Sequence, residues 1–125
     1  MKTGIIFSHA LTPAQEADLA NTQILLLPSE LKALLGNVPV GSEFPIGIAT
    51  ELAKWLVANL EEGDQVLIQG EPGLVVFLAV TAKKMGVTPI YATTERKSVE
   101  KTLPDGSVTK TSLFEHAGFR EYLIP

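Results

Sequence analysis

The chain of 125 residues contains no cysteine. It can form neither a disulfide nor a thiolate metal site, so the cytoplasm is the expected address. No apolar run approaches the roughly 20 residues needed to span a bilayer. The N-terminus lacks the charged-then-apolar pattern of a secretion signal, and no membrane role is expected. Positive charge is in deficit, with 10 Lys and Arg against 14 Asp and Glu and a net charge of −4. That balance argues against a partner such as long nucleic acid, which is met by a basic face. Only two histidines occur, His9 and His116, far apart and without ligand spacing around either. Neither a metal nor any other cofactor is expected from so few donors.

What is present describes a chain that folds. Hydrophobic residues make up 46% of it, and its length suffices for one domain with a core, here taken as residues 1–125. The charge is distributed unevenly. Residues 1–71 carry nine Asp and Glu and three Lys and Arg, whereas residues 72–125 carry five and seven. The second half can therefore present a local positive site to a small anion; the plainer reading is a solvated hairpin with ordinary lysines.

Strand and helix signals alternate along the chain. "TGIIF" (3–7) is a short apolar strand. "LTPAQEADLAN" opens a helix, with Thr12 as cap, Pro13 at the first helical position and Gln15 completing a capping box. "QILLLP" (23–28) is a second strand stopped by Pro28, and "SELKALLG" a short helix capped by Ser29 and ended by Gly36. Helical spacing of Ile48, Leu52, Trp55, Leu56 and Leu60 predicts a helix over about 45–62 whose stripe belongs to the core or a subunit interface. "QVLIQG" (65–70) is a third strand, "EPGLVVFLAVTAKKMG" a helix, and "TPIYATT" (88–94) a fourth strand. "KSVEKTL" and "SVTKTSLF" then alternate around "PDG" and predict a hairpin (97–113) too polar for the centre of the sheet. The closing stretch "EHAGFREYLIP" is expected to pack back on the domain.

The expected fold is α/β, with a parallel sheet of order 2-1-3-4, helices on both faces and the hairpin at the edge. In that order a crevice opens between strands 1 and 3 at the carboxyl edge, where such sheets bind ligands. Ser8 and His9 follow strand 1, Gln69, Gly70, Glu71 and Gly73 follow strand 3, and Thr93, Thr94 and Arg96 are expected in a loop after strand 4.

Each group has a plain reading beside a chemical one. Gly70 and Gly73 allow close backbone approach at a helix start, where phosphate is attracted. An ordinary strand-to-helix turn would look the same, and Glu71 could occupy the helix terminus itself. The stretch matches neither phosphate-loop nor dinucleotide fingerprint, so ATP or NAD binding is unsupported. Ser8 and His9 can position a ribose hydroxyl or a phosphoryl oxygen, or simply cap the next helix. A serine hydrolase is poorly supported, because no GxSxG surrounds Ser8 and no carboxylate is placed to orient His9. Arg96 and Arg120 suit two-point contact with phosphate; Arg120 could equally pair with a carboxylate. Tyr91 and Tyr122 can stack on a base or merely pack.

Taken together, "FSHALTPAQ", "LLLPSEL", "VLIQGEPG", "PIYATTER" and "FEHAGFREY" resemble a small family of stand-alone CRISPR-associated proteins of type III systems. These are similar in fold to the CARF domains, the Rossmann-like sensors of cyclic oligoadenylates, and are related to the ring nucleases that degrade those messengers. The matching segments run from residue 4 to residue 122. The resemblance implies a CARF-like domain that binds cyclic tetra-adenylate as a homodimer across its two-fold axis. Ser8, His9, Gln69 to Gly73 and Thr93 to Arg96 would line the pocket, and His116 and Arg120 would close it. It also implies metal-independent cleavage, in which the ribose 2′-hydroxyl attacks the neighbouring phosphorus. Arg96 or Arg120 would stabilise charge, and His9 or His116 would move the proton. The alternatives are a sensor or sponge that binds the ring without cutting it, and a small Rossmann-like protein for another nucleotide.

Overall fold

The computed structural model describes residues 1–125. The element order is β1 (Lys2–Ile6), α1 (Pro13–Asp18), β2 (Gln23–Leu26), α2 (Ser29–Gly36), α3 (Ile46–Asn59), β3 (Gln65–Ile68), α4 (Pro72–Lys84), β4 (Thr88–Thr102) and β5 (Val108–Glu121). The five strands form one mixed sheet of order β2-β1-β3-β4-β5. The first four strands are parallel and β5 is antiparallel to β4. The α/β class and the order 2-1-3-4 are thus present. No helix is long and apolar enough to cross a membrane.

β1 lies inside the sheet, second from its β2 edge, paired with β2 from Lys2↔Gln23 to Ile5↔Leu26 and with β3 from Thr3↔Gln65 to Ile6↔Ile68. Its residues Thr3 to Ile6 are all buried, as a strand covered on both faces must be. Ile6, Val66 and Ile68 pack beneath α2, α3 and α4 in the larger of two cores. Ile5, Leu67 and Ile90 pack with Leu19 on the α1 face in the smaller one. Thr3 is the polar exception. Its hydroxyl lies 2.6 Å from the Thr22 hydroxyl and accepts from Gln65 Nε2 at 2.9 Å, so the buried oxygen is satisfied.

Helix boundaries follow local chemistry. In α1 Thr12 Oγ1 accepts from the Gln15 N–H at 3.2 Å, while Gln15 Oε1 accepts from the Thr12 N–H at 2.9 Å. This is the reciprocal cap expected from the sequence. At α2 the expected cap is displaced: Ser29 is already helical and Pro28 stands in the cap position without a side-chain bond. α3 ends at Asn59, three residues before the expected limit, because Leu60 turns extended and the Asp64 carboxylate takes the Glu61 N–H. Leu52, Leu56 and Leu60 are buried in the core, so this stripe is not a free surface.

The fourth strand differs most from expectation. β4 does not stop near Thr94 and give way to a separate hairpin; it runs unbroken to Thr102 and itself forms the first arm of the hairpin. It pairs with β3 only from Thr88 to Ile90, then continues with β5 alone. From Thr94 to Glu115 every residue except Leu103 is exposed. The hairpin therefore lies at the edge, outside the buried centre. "EHAGFREYLIP" packs back on the domain as expected: β5 carries it along β4 through to Glu121, and Tyr122 and Ile124 pack on the larger core.

At the amino edge, Asp64 fastens β3 to β1. Its carboxylate accepts the Lys2 N–H and the Glu61 N–H, each at 2.9 Å, and Lys2 Nζ stands 3.8 Å away. Burial pushes this carboxyl upward, but the two N–H donors, the Lys2 charge and the N-terminus outweigh it and hold the carboxyl below its ordinary value. A carboxyl lowered on folding adds stability above its unfolded value of about 3.9, and that contribution is lost as pH falls through the folded value. Asp64→Asn should therefore cost about 1–3 kcal/mol at neutral pH. Thermal unfolding of both proteins should show the gap narrowing below about pH 4; a gap independent of pH would mean the carboxylate charge is not used.

Candidate functional site

Parallel pairing of β1 with β3 sets the ends of both strands side by side. Beyond Ile6 come Phe7, Ser8 and His9; beyond Ile68 come Gln69, Gly70 and Glu71. α1 leaves on one face and α4 on the other, which is the arrangement that opens a crevice at a carboxyl edge. The last turn of α2 sits on this crevice. A Cβ placed on Gly36 would lie 3.5 Å from Ser8 Cβ, and one placed on Gly70 would lie 3.2 Å from Leu35 Cδ1. Leu35 is buried there. Gly70 thus leaves room for Leu35 within the chain, where the sequence suggested room for a ligand.

Glu71 resolves the ambiguity at the start of α4. Its carboxylate accepts the Gly73 N–H and caps the helix. The positive helix terminus already holds an anion of the chain's own. Gln69 Oε1 accepts the Ala92 N–H at 2.9 Å and fastens β3 to β4, which leaves its amide nitrogen for another partner.

The best-formed cavity opens beside β1, on the side of β2, with a volume of about 210 Å³. Phe7, Leu11, Ile24 and Leu27 supply apolar walls; His9, Glu16 and Lys32 supply the polar groups. His9 is exposed and meets the Phe7 ring edge-on, with centroids 5.2 Å apart. An apolar slot with a few converging polar groups is the usual form of a small-molecule site. The sequence reading found His9 but missed Glu16 and Lys32. Glu16 comes one turn after the Thr12 cap and Lys32 lies in the first turn of α2. Only the strand order brings them to one slot.

The remaining candidates fall on β4 and β5. Thr93, Thr94 and Arg96 are not in a loop after strand 4; they lie within the paired ribbon. Thr93 Oγ1 donates to Gly118 O at 2.7 Å, beside the register shift. Arg96 donates from Nε and Nη2 to Ser112 Oγ at 3.1 and 2.9 Å and stays exposed. It lies four positions past Ala92, about 13 Å along the strand at about 3.3 Å per residue. Arg120 lies 6.0 Å over the Tyr91 ring, and Tyr91 packs on Tyr122 at 4.7 Å. Tyr122 donates to Ile68 O at 2.7 Å; burial, then the neighbouring Tyr91, raises its hydroxyl above the ordinary value. These tyrosines pack and fasten the C-terminus to β3.

The two histidines have different surroundings. His116 Nε2 lies 2.8 Å from Asp18 Oδ2, and its ring is packed on Phe119 at 4.7 Å. Its side chain is only 6% exposed, and Nδ1 is buried without a partner. The side chain ties β5 to α1 and presents no nitrogen to a ligand. His9 alone stands at the cavity.

Removing the Glu71 carboxylate tests the internal cap. Glu71→Ala should lower stability by about 1 kcal/mol, the usual cost of a lost N-cap. Added sulfate should recover part of that loss by occupying the vacated helix terminus. Thermal unfolding with and without sulfate reads both effects; an unchanged midpoint would show that the cap bond contributes nothing.

Comparison with known proteins adds membership to this geometry. Residues 1–120 match the family described as "Uncharacterized protein MJ1673 family". A protein of Methanocaldococcus jannaschii, "Uncharacterized protein MJ1673", is 32% identical over 127 aligned residues, covering 97% of this chain and 96% of the relative. No solved structure matches the chain. The match spans nearly the whole of both proteins, and the chain belongs to the MJ1673 family.

Proposed function

We propose that this protein is a ring nuclease of the cytoplasm, a CARF-like domain that binds cyclic tetra-adenylate as a homodimer and opens it to switch off type III CRISPR signalling. The observation that carries the reading is the exposed imidazole of His9 at the mouth of an apolar slot of about 210 Å³, beside the end of β1. Such a slot accepts one planar base with its ribose at the rim, which brings the sugar to His9.

The reaction needs no nucleophile from the protein. The ribose 2′-oxygen bonds to the adjacent phosphorus and the bond from phosphorus to the 5′-oxygen breaks. The 2′-hydroxyl proton leaves to His9, and the 5′-oxygen takes a proton from water, whose hydroxide then recovers the proton held by His9. The product is a linear adenylate with a 2′,3′-cyclic phosphate at one end and a 5′-hydroxyl at the other. Lys32 is placed to offset phosphate charge, and Glu16 can accept a hydrogen bond from a base amine or a ribose hydroxyl. Positioning of the hydroxyl in line with the phosphorus supplies much of the acceleration.

His9→Ala should slow single-turnover opening of the ring by roughly 10²–10⁴-fold while binding stays nearly intact. His116→Ala should leave the chemical step within a few fold, because its nitrogens are held by Asp18 or buried. The assay uses labelled cyclic tetra-adenylate with excess EDTA, and the wild-type reaction should proceed in chelator. A bound but intact ring would make the protein a sensor or sponge. No binding would remove cyclic oligoadenylate altogether, leaving another nucleotide for the slot.

A further inference from the structure

The two faces of the sheet are covered unequally. α2, α3 and α4 pack over one face in the larger core, whereas α1, through its Leu19 cap, is the only helix that enters the smaller core. α1 has six residues, and a helix so short is marginal on its own. Leu19 sets how deep it sits, but one apolar anchor leaves a helix free to roll about its axis. The further tie is Asp18, whose Oδ2 lies 2.8 Å from His116 Nε2 on β5. A carboxylate only accepts, so Nε2 carries the shared proton.

The imidazole is a fixed donor. It is packed on Phe119, and Nδ1 is buried without a partner, an uncommon state for a polar atom. Its one polar side-chain contact is therefore with α1. Glu16, which lines the slot, lies on the same helix two residues before Asp18. Successive helical residues are about 100° apart, so Glu16 and Asp18 stand about 200° apart around the axis. One faces the slot and the other faces β5. Whatever stops Asp18 from rolling also stops Glu16.

We propose that His116 is a positioning residue: through Asp18 it sets the roll of α1 and so holds the Glu16 carboxylate at the slot. It touches no ligand and takes no proton from one. Its effect falls on recognition, because Glu16 accepts from a base amine or a ribose hydroxyl. Proton transfer stays with His9, which precedes α1 and rests on Phe7. That use of Glu16 rests on the ring-nuclease reading above; the placement of Glu16 by His116 does not.

Equilibrium binding and single-turnover opening of labelled cyclic tetra-adenylate in EDTA separate recognition from chemistry. His116→Ala and Glu16→Ala should each weaken binding about tenfold, the scale of one hydrogen bond to a charged group. The double variant should bind no more weakly than either single one, because residues acting in series do not add. The rate at saturating ring should stay within a few fold of wild type in all three. His116→Gln, which keeps a donor for Asp18, should recover most of the binding. Asp18→Ala removes the same tie from a half-exposed position, so it keeps the test valid even if His116→Ala misfolds. Losses that multiply to about a hundredfold in the double variant, or a glutamine that rescues nothing, overturn the proposal. Spin labels on a Glu16→Cys/Lys32→Cys variant read the placement without ligand, and no other cysteine competes. Their distance distribution should be narrow, broaden when His116→Ala is added and narrow again with His116→Gln. A distribution unmoved by His116→Ala overturns the positioning role. A wild type that binds no ring removes the ring-nuclease reading, and the spin labels still decide the role of His116.

Discussion

The double pairing of β1 is the constraint on which the rest of the structure depends. This strand of five residues is hydrogen-bonded to β2 on one side and β3 on the other. Its buried run forces helices onto both faces, and its register decides which loops become neighbours. Had β1 paired with β4, the Ser8–His9 loop would not meet Gln69 and Gly70. Had β2 lain elsewhere, Ile24 and Leu27 would not wall the slot at His9. Asp64 and Thr3 reinforce that register with polar contacts between β1 and the start of β3.

The carboxyl edge is economical in charge. Glu71 spends the positive end of α4 on the chain's own carboxylate, and Leu35 fills the space beside Gly70. What remains for a ligand is a slot beside β1 with one imidazole, one ammonium and one carboxylate. Such a set suits a substrate that brings its own nucleophile.

Much of the fold was legible because short-range chemistry and burial agree in it. The apolar runs "TGIIF" and "QVLIQG", the Thr12–Gln15 cap and the order 2-1-3-4 follow from periodicity, capping and crossover handedness. β4 was misread as a strand followed by a separate hairpin because its environment changes at Thr93 while its conformation does not. Where it leaves the sheet, a fully buried pattern becomes a solvated one, and sequence pattern reports burial. The displacement of Arg96 follows from the same change. The His116–Asp18 contact joins residues 98 apart, and the seating of Leu35 on Gly70 depends on where α2 docks. Neither leaves a mark on local sequence. Glu16 and Lys32 were missed for that reason, whereas the caution over Glu71 needed only its place next to a helix start.

The route of ring opening is the central chemical claim, and isotope incorporation tests it directly. Unlabelled cyclic tetra-adenylate, incubated with the wild-type chain in water enriched in oxygen-18, should be converted to linear products of unchanged mass for the first bond opened. Transesterification by a 2′-hydroxyl takes no atom from solvent. A first product heavier by one labelled water would assign the attack to solvent and contradict the account, as would a ring recovered intact after prolonged incubation with stoichiometric protein.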